Sequence, residues 1–207
     1  VSLPEIEPVR LEGELVLLEP IRPDHVDGLW KAAQAPEIWD WLVHLTDSRE
    51  FFDEWAAEGI RNWSGEGDRW TFVTVSRETG LPVGSSSFLN YRPKDDVVEI
   101  GFTWLNPSAW GTGANREAKL LMMTHAFETL GCVRVEFKTD ARNERSRAAL
   151  AALPARFEGV LRKHMNPFGV GRRDSAYYSV IDDEWPEVRR GLETTRPQIH
   201  SRSEKSA

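Results

Sequence analysis

Between residues 70 and 105 the chain runs three times through short apolar–polar alternation and then passes, across one glycine loop, straight into an apolar helix. The alternating runs are 70–75, 81–91 and 97–105, separated by Glu78-Thr79-Gly80 and by the turn residues 93–96. Period-two runs joined by tight turns predict an antiparallel meander, one face of which must be buried. The helix EAKLLMMTHAFETLG that follows is apolar on most faces and stops at Gly131, a natural C-terminal residue for a helix. Whatever this chain folds into must therefore place a helix against a meander.

The flanking segments extend that plan. Residues 14–20 read as a strand, 24–35 as a helix stopped by Pro36, and 48–63 as a second helix capped by Ser48. The stretch 37–45 is apolar without a clear period. Beyond the meander, 132–139 alternates Val133, Val135 and Phe137 with Arg134, Glu136 and Lys138. A helix over 143–153, strands near 156–163 and 175–181 and a helix over 183–192 complete the chain, and the last residues, 194–207, have no periodicity and are expected to be disordered. The expected fold is α/β (α+β): one domain over 10–192, with a mixed, mostly antiparallel sheet of six to seven strands flanked by helices.

Charge and cysteine content narrow the function. Acidic residues outnumber basic ones 33 to 26, a net charge of -7. This argues against direct nucleic-acid binding across the whole surface. No run approaches the roughly 18 apolar residues of a membrane span, and residues 1–10 lack a signal-peptide pattern, so a cytoplasmic protein with no membrane association is expected. The single cysteine, Cys132, excludes an internal disulfide, and the histidines show no metal spacing. No metal is expected.

The loop Trp110-Gly111-Thr112-Gly113-Ala114-Asn115 lies between strand and helix. Two glycines let the backbone turn sharply and leave N–H groups clear, and the helix N-terminus adds its unpaired donors and partial positive charge. That is an anion site suited to a pyrophosphate, although a plain tight turn would use the same glycines. The loop lacks the Lys-Ser/Thr of a P-loop, and Arg116 stands where a dinucleotide fingerprint has its third glycine.

The run VEIGFTWLNPSAWGTGANREAKLLMMTHAFE resembles the acyl-CoA-binding core of GNAT superfamily N-acetyltransferases, and within them the RimJ/RimL branch. Trp110 takes the first position of that family's loop pattern, Gly113 fits, and Asn115 replaces its final glycine or alanine. The similarity continues through Asn143-Glu144-Arg145-Ser146, RFEGVLRKHM and DSAYYSVIDDEW. What the resemblance implies is a sheet splayed at an acetyl-CoA site, and direct acetyl transfer to an amine acceptor, either a protein N-terminus or a small molecule. A homodimer is plausible by the same resemblance.

It also implies residue roles. Glu99, in Glu99-Ile100-Gly101-Phe102, is the candidate base, against a reading as a surface residue of an alternating strand. Ser146 is the candidate beside the CoA sulfur, and Asn143 a pantetheine contact that doubles as a helix N-cap. Backbone groups at Trp104 and Leu105 would align the pantetheine amides as an added half-strand. Residues 110–115 would hold the pyrophosphate, with Arg116 reaching a phosphate or facing solvent. Arg142, Arg145 and Arg147 form a basic patch with the same two readings. Tyr177 and Tyr178 must face opposite sides of the sheet; one could give a proton to the leaving thiolate, against a reading as packing, and Tyr177 is a candidate substrate residue. Five of the nine tryptophans fall between residues 30 and 63, and Trp39, Trp41 and Trp63, outside the clear periodicity, are candidates for an aromatic acceptor cleft, with His44 beside them. The alternatives are a catalytically silent acyl-CoA-binding module on the same fold and, on the glycines alone, a nucleotide-binding domain.

Overall fold

A computed structural model describes residues 2–42, 45–166 and 171–194. The chain forms strands β1 (Leu11–Glu12), β2 (Val16–Pro20), β3 (Arg69–Ser76), β4 (Pro82–Arg92), β5 (Val97–Leu105), β6 (Arg134–Asp140), β7 (Arg156–Met165) and β8 (Arg173–Ile181). Helices α1 (Val26–Ala32) and α2 (Arg49–Arg61) precede the meander, α3 (Ala114–Thr124) and α4 (Glu144–Ala152) flank β6, and α5 (Trp185–Thr194) ends the described residues. All strands join one sheet in the order β1-β2-β3-β4-β5-β6-β8-β7. It has one strand more than the alternation suggested, because the two residues of β1 fold back on β2. Only β5 and β6 run parallel, a consequence of the α3 crossover between them. The tail from residue 195 lies outside the described residues.

Two apolar layers hold the sheet between helices. On one face Met122 and Met123 of α3, Leu150 of α4 and Val188 of α5 pack against Phe88, Val98 and Val135. On the other, Leu29 of α1 and Phe52 and Trp55 of α2 pack against Val73 and Trp104. This second layer takes buried residues from β2, β3 and β5 but none from β6, β7 or β8. The sheet is thus covered on both faces at one end and on one face at the other, and the polar residues of β6 and β8 are left facing an open side.

The caps behave as their residue types dictate. Ser48 Oγ accepts from the Phe51 N–H at 3.0 Å and starts α2. α3 widens after Thr124 through His125–Leu130 and ends at Gly131, whose φ of 80° is the left-handed conformation of a C-terminal stop. Glu117 of α3 accepts the backbone N–H groups of Glu14, Leu15 and Val16 at 2.9, 2.7 and 2.8 Å, which pins the β1–β2 turn onto the helix. Among the described residues, no helix is long and apolar enough to cross a membrane.

Candidate active site

The site begins where β5 and β6 part. Their parallel pairing covers Val97 to Glu99 against Arg134 to Glu136 and goes no further, although β5 continues to Leu105 and β6 to Asp140. Beyond Glu99 the edge of β5 that faces β6 has no strand partner. On its other edge the register with β4 slips: Ser85 faces Trp104 and Ser87 faces Gly101, so Phe102 and Thr103 together oppose Ser86. Phe102 has φ 46°, the left-handed region that a bulky side chain rarely adopts. This is a β-bulge, and it turns β5 away from β6 where their pairing ends. Phe102 is held by stacking on Trp55 at 6.2 Å and by the Arg69 guanidinium 5.6 Å above its ring.

β5 leads through one turn at Pro107–Ala109, capped by Asn106, into the glycine loop. Gly111 and Gly113 have φ of 74° and 94°, the conformation for which glycine is suited. Among the described residues no acceptor engages the N–H groups of Gly111, Thr112 or Gly113. A Cβ on Gly111 would meet nothing within 4 Å, so the loop is open above that residue. Trp110 folds back and donates from Nε1 to the Leu105 carbonyl at 2.8 Å. Arg145 of α4, across the split, lies 4.0 Å over the Trp110 ring and brings a positive charge beside the loop. An anion at the N-terminus of α3 would meet unengaged N–H groups, the helix dipole and this arginine.

Glu99 is 2 % exposed, and its Oε2 accepts from Asn90 Nδ2 at 2.7 Å and Lys138 Nζ at 3.1 Å. Gly101 leaves room for that carboxylate: a Cβ there would stand 3.0 Å from Glu99 Oε1 and 2.9 Å from Leu89 Cδ1, and one of these side chains would have to move. The carboxylate points to the open side of the sheet, the side that carries Lys138 and Tyr177. Tyr177 OH lies 3.4 Å from His164 Nε2, and His164 Nδ1 is 3.1 Å from the hydroxyl of buried Ser175. Burial, with Lys138 and Arg173 adding to it, lowers His164 below the ordinary imidazole value, while burial and then Glu99 raise Tyr177. Near neutral pH this cluster holds a neutral imidazole against a neutral phenol. Tyr178 faces the other way and receives Arg147 Nε at 3.0 Å, as alternation requires.

The remaining expected residues lie on the surrounding elements. Asn143 caps α4, its Oδ1 accepting from Ser146 N at 2.9 Å, and Ser146 sits half-buried in the first turn at the lip of the split. Arg116 donates to the Gly191 carbonyl at 2.7 Å and docks α5 onto α3. Of the basic patch, Arg142 pairs with Asp140 and Arg147 with Tyr178, so Arg145 alone is drawn to the loop. Trp39 is no cleft residue: it is 1 % exposed, donates to the Ala33 carbonyl and packs on Trp104 at 5.4 Å. Trp63 is likewise structural, bonded to the Thr71 carbonyl and edge-on to Phe72. Trp41 stays half-buried with the Arg142 guanidinium 5.4 Å over it, and His44 lies outside the described residues. The aromatic groove that does exist, of about 630 Å³, is lined by Phe51 and Trp55 of α2 together with Leu45, Glu58, Arg69 and Phe102. The spacing of Phe51 and Trp55 along one side of α2 was the signal for it.

The family described as Acetyltransferase (GNAT) domain matches residues 16–155, more than half of the chain. The chain belongs to the GNAT acetyltransferase family. In fold this GNAT chain is similar to a GCN5-related N-acetyltransferase of Brucella melitensis, with a TM-score of 0.86 and 29% identity, covering 93% of this chain and 87% of that one. It is also similar to RimJ of Mycobacterium smegmatis, solved in complex with CoA-disulfide, with a TM-score of 0.73 and 21% identity over 93% of each chain. In sequence it is 28% identical over 137 residues to an N-acetyltransferase 9-like protein of Caenorhabditis briggsae, covering 62% of this chain and 67% of the relative. The split, the bulge and the glycine loop all lie within the residues that match this family. Among the described residues no group of three or more His, Cys, Asp and Glu could hold a metal ion.

Proposed function

We propose that this acetyltransferase moves an acetyl group from acetyl-CoA directly to a primary amine, on a protein N-terminus or a small molecule. The observation that carries the proposal is the end of β5–β6 pairing at Glu99, which leaves a free strand edge leading into an unengaged nest of N–H groups. Pantetheine amides lie along that edge at Trp104 and Leu105 as a short added strand, and the pyrophosphate sits over Gly111, Thr112 and Gly113 at the start of α3. The CoA-bound RimJ relative supports the same choice of donor.

The chain's own groups supply what the transfer needs. Glu99 receives the proton that the attacking amine sheds, through water, because its carboxylate is buried. Backbone N–H groups on the free edge of β5 meet the oxyanion as the amine nitrogen bonds to the acetyl carbon. As the carbon–sulfur bond breaks, Ser146, at the lip of the split, hydrogen-bonds the leaving thiolate. The acceptor enters from the open side between α2 and β8, the side on which Glu99 lies with Lys138 and Tyr177. The net charge of -7 favours a cationic acceptor.

The test is CoA-thiol release measured over N-terminal peptides, amino sugars, polyamines and amino acids, alongside calorimetry of acetyl-CoA binding. Release with at least one amine class is expected. Binding without release across the panel would replace the enzyme by an acyl-CoA-binding module, and absence of binding would overturn the donor assignment.

A further inference from the structure

We infer that Lys119 is a positioning residue for acetyl transfer: from beneath the sheet it fixes the bulge in β5 whose backbone meets the acyl group. The inference rests on the proposed use of acetyl-CoA. Lys119 is 4 % exposed, an unusual position for a lysine. It lies on α3 in the stripe that also buries Met122, Met123 and Ala126 against the sheet. Its Nζ donates to Ser86 Oγ at 2.8 Å and Thr103 Oγ1 at 2.5 Å, and those two hydroxyls are 2.7 Å apart.

These partners are the bulge itself. Ser86 is the single β4 residue opposed by two residues of β5, and Thr103 is one of the two. A bulge leaves its extra residue without a ladder partner, so side-chain contacts must decide its orientation. Here one amine, rooted in the helix that starts at the glycine loop, ties both sides of the irregularity together. The loop and the strand edge are thereby held to one rigid element, α3. A misplacement of reacting groups by about 1 Å is enough to slow a reaction heavily.

Among the described residues no carboxylate pairs with Lys119. Glu117 on the same helix is turned to the amides of 14–16, Arg116 to the Gly191 carbonyl, and Glu99 of β5 points to the other face of the sheet. His125, one turn and a half along α3, stacks on Phe88 at 6.1 Å and is itself lowered by burial. A neutral amine satisfies the two hydroxyls, and burial lowers Lys119 to about 7. Above that value the amine serves as a hydrogen-bond hub without placing a bare charge beneath the acyl group.

The test is isotope-edited infrared spectroscopy of acetyl-CoA labelled at the carbonyl carbon, bound to the full chain. In the wild type the bound carbonyl stretch moves to lower wavenumber, as donors on β5 polarise it. Lys119→Met leaves Ser86 and Thr103 free to bond each other, so the fold persists. It should keep acetyl-CoA affinity while losing most of that shift, and turnover with the best amine should fall by about tenfold at unchanged acetyl-CoA KM. Thr103→Val, which retains the Lys119–Ser86 bond, tests the same carbonyl if Lys119→Met does not fold. An unchanged shift in both variants would overturn the inference, and so would losses of affinity, melting temperature and turnover in step, which mark a merely structural lysine. A wild type that binds no acetyl-CoA would instead overturn the donor assignment on which the inference rests.

Discussion

Glu99→Gln keeps the size of the side chain and its neighbours Asn90 and Lys138, but removes the charge proposed to accept a proton. Turnover is expected to fall by about a hundredfold, the usual scale for a general base, with acetyl-CoA affinity unchanged by calorimetry. Lys119 gives a second residue-scale prediction. Burial holds it at about 7, whereas an unfolded lysine titrates near 10.4. Between those values the unfolded chain binds a proton that the native chain does not, so this residue makes stability rise with pH. Relative to Lys119→Met, urea melts of the wild type should gain roughly 1.4 kcal/mol per pH unit from pH 7 to 9. Groups raised by burial, such as Tyr91 and Cys132, cancel in that difference. Cys132 itself, buried and pushed up to about 12, should not react with a thiol reagent at pH 8 until the protein unfolds. Glu99 was singled out by a short motif, and its burial speaks against the reading as a surface residue of an alternating strand. Lys119 was not, since a lysine in a helix reads as solvent-facing; its place in the stripe with Met122, Met123 and Ala126 was the available signal. Trp39 was misread for the opposite reason, as an aromatic outside the periodic segments that tertiary packing drew into the core.

At the scale of elements, alternation and capping predicted the strands of the meander, the helix stop at Gly131 and the starts of α2 and α4, because these depend on neighbours in sequence. The point where β5 leaves β6 was visible only through family resemblance, and the bulge at Phe102 was not visible at all. Both depend on residues far apart in the chain, and FTWL contains no glycine to mark a left-handed residue. The hold of Glu117 on the β1–β2 turn is equally non-local. Glu117→Ala strips three backbone N–H groups of a charged acceptor, and the expected loss is about 3 kcal/mol, read from denaturant midpoints at constant m-value. Gly101→Ala tests a contact within β5. Its new methyl would press on Glu99 Oε1, so turnover should drop while the melting temperature changes little.

For the whole molecule the decisive fact is that three residue pairs of a parallel ladder join a sheet of eight strands at its middle. Beside that ladder, the ion pairs Glu99–Lys138 and Arg92–Glu136 cross the boundary, and α3, α4 and α5 pack beneath it. If acetyl-CoA completes the broken ladder, it acts as a ninth, non-covalent strand, and saturation at a hundred times Kd should stabilise the fold by about 2.7 kcal/mol. The matching local signature is slowed amide hydrogen exchange at residues 100–105, with α1 unaffected. The same boundary divides the labour of the chain. On the proposed function, donor recognition would occupy the seam, while the surfaces facing an acceptor would lie on the two plates to either side, on α2 and on β8. Exchanging residues on a plate therefore leaves the seam intact, so that acceptor preference can be redesigned one plate at a time without relearning how to hold the donor.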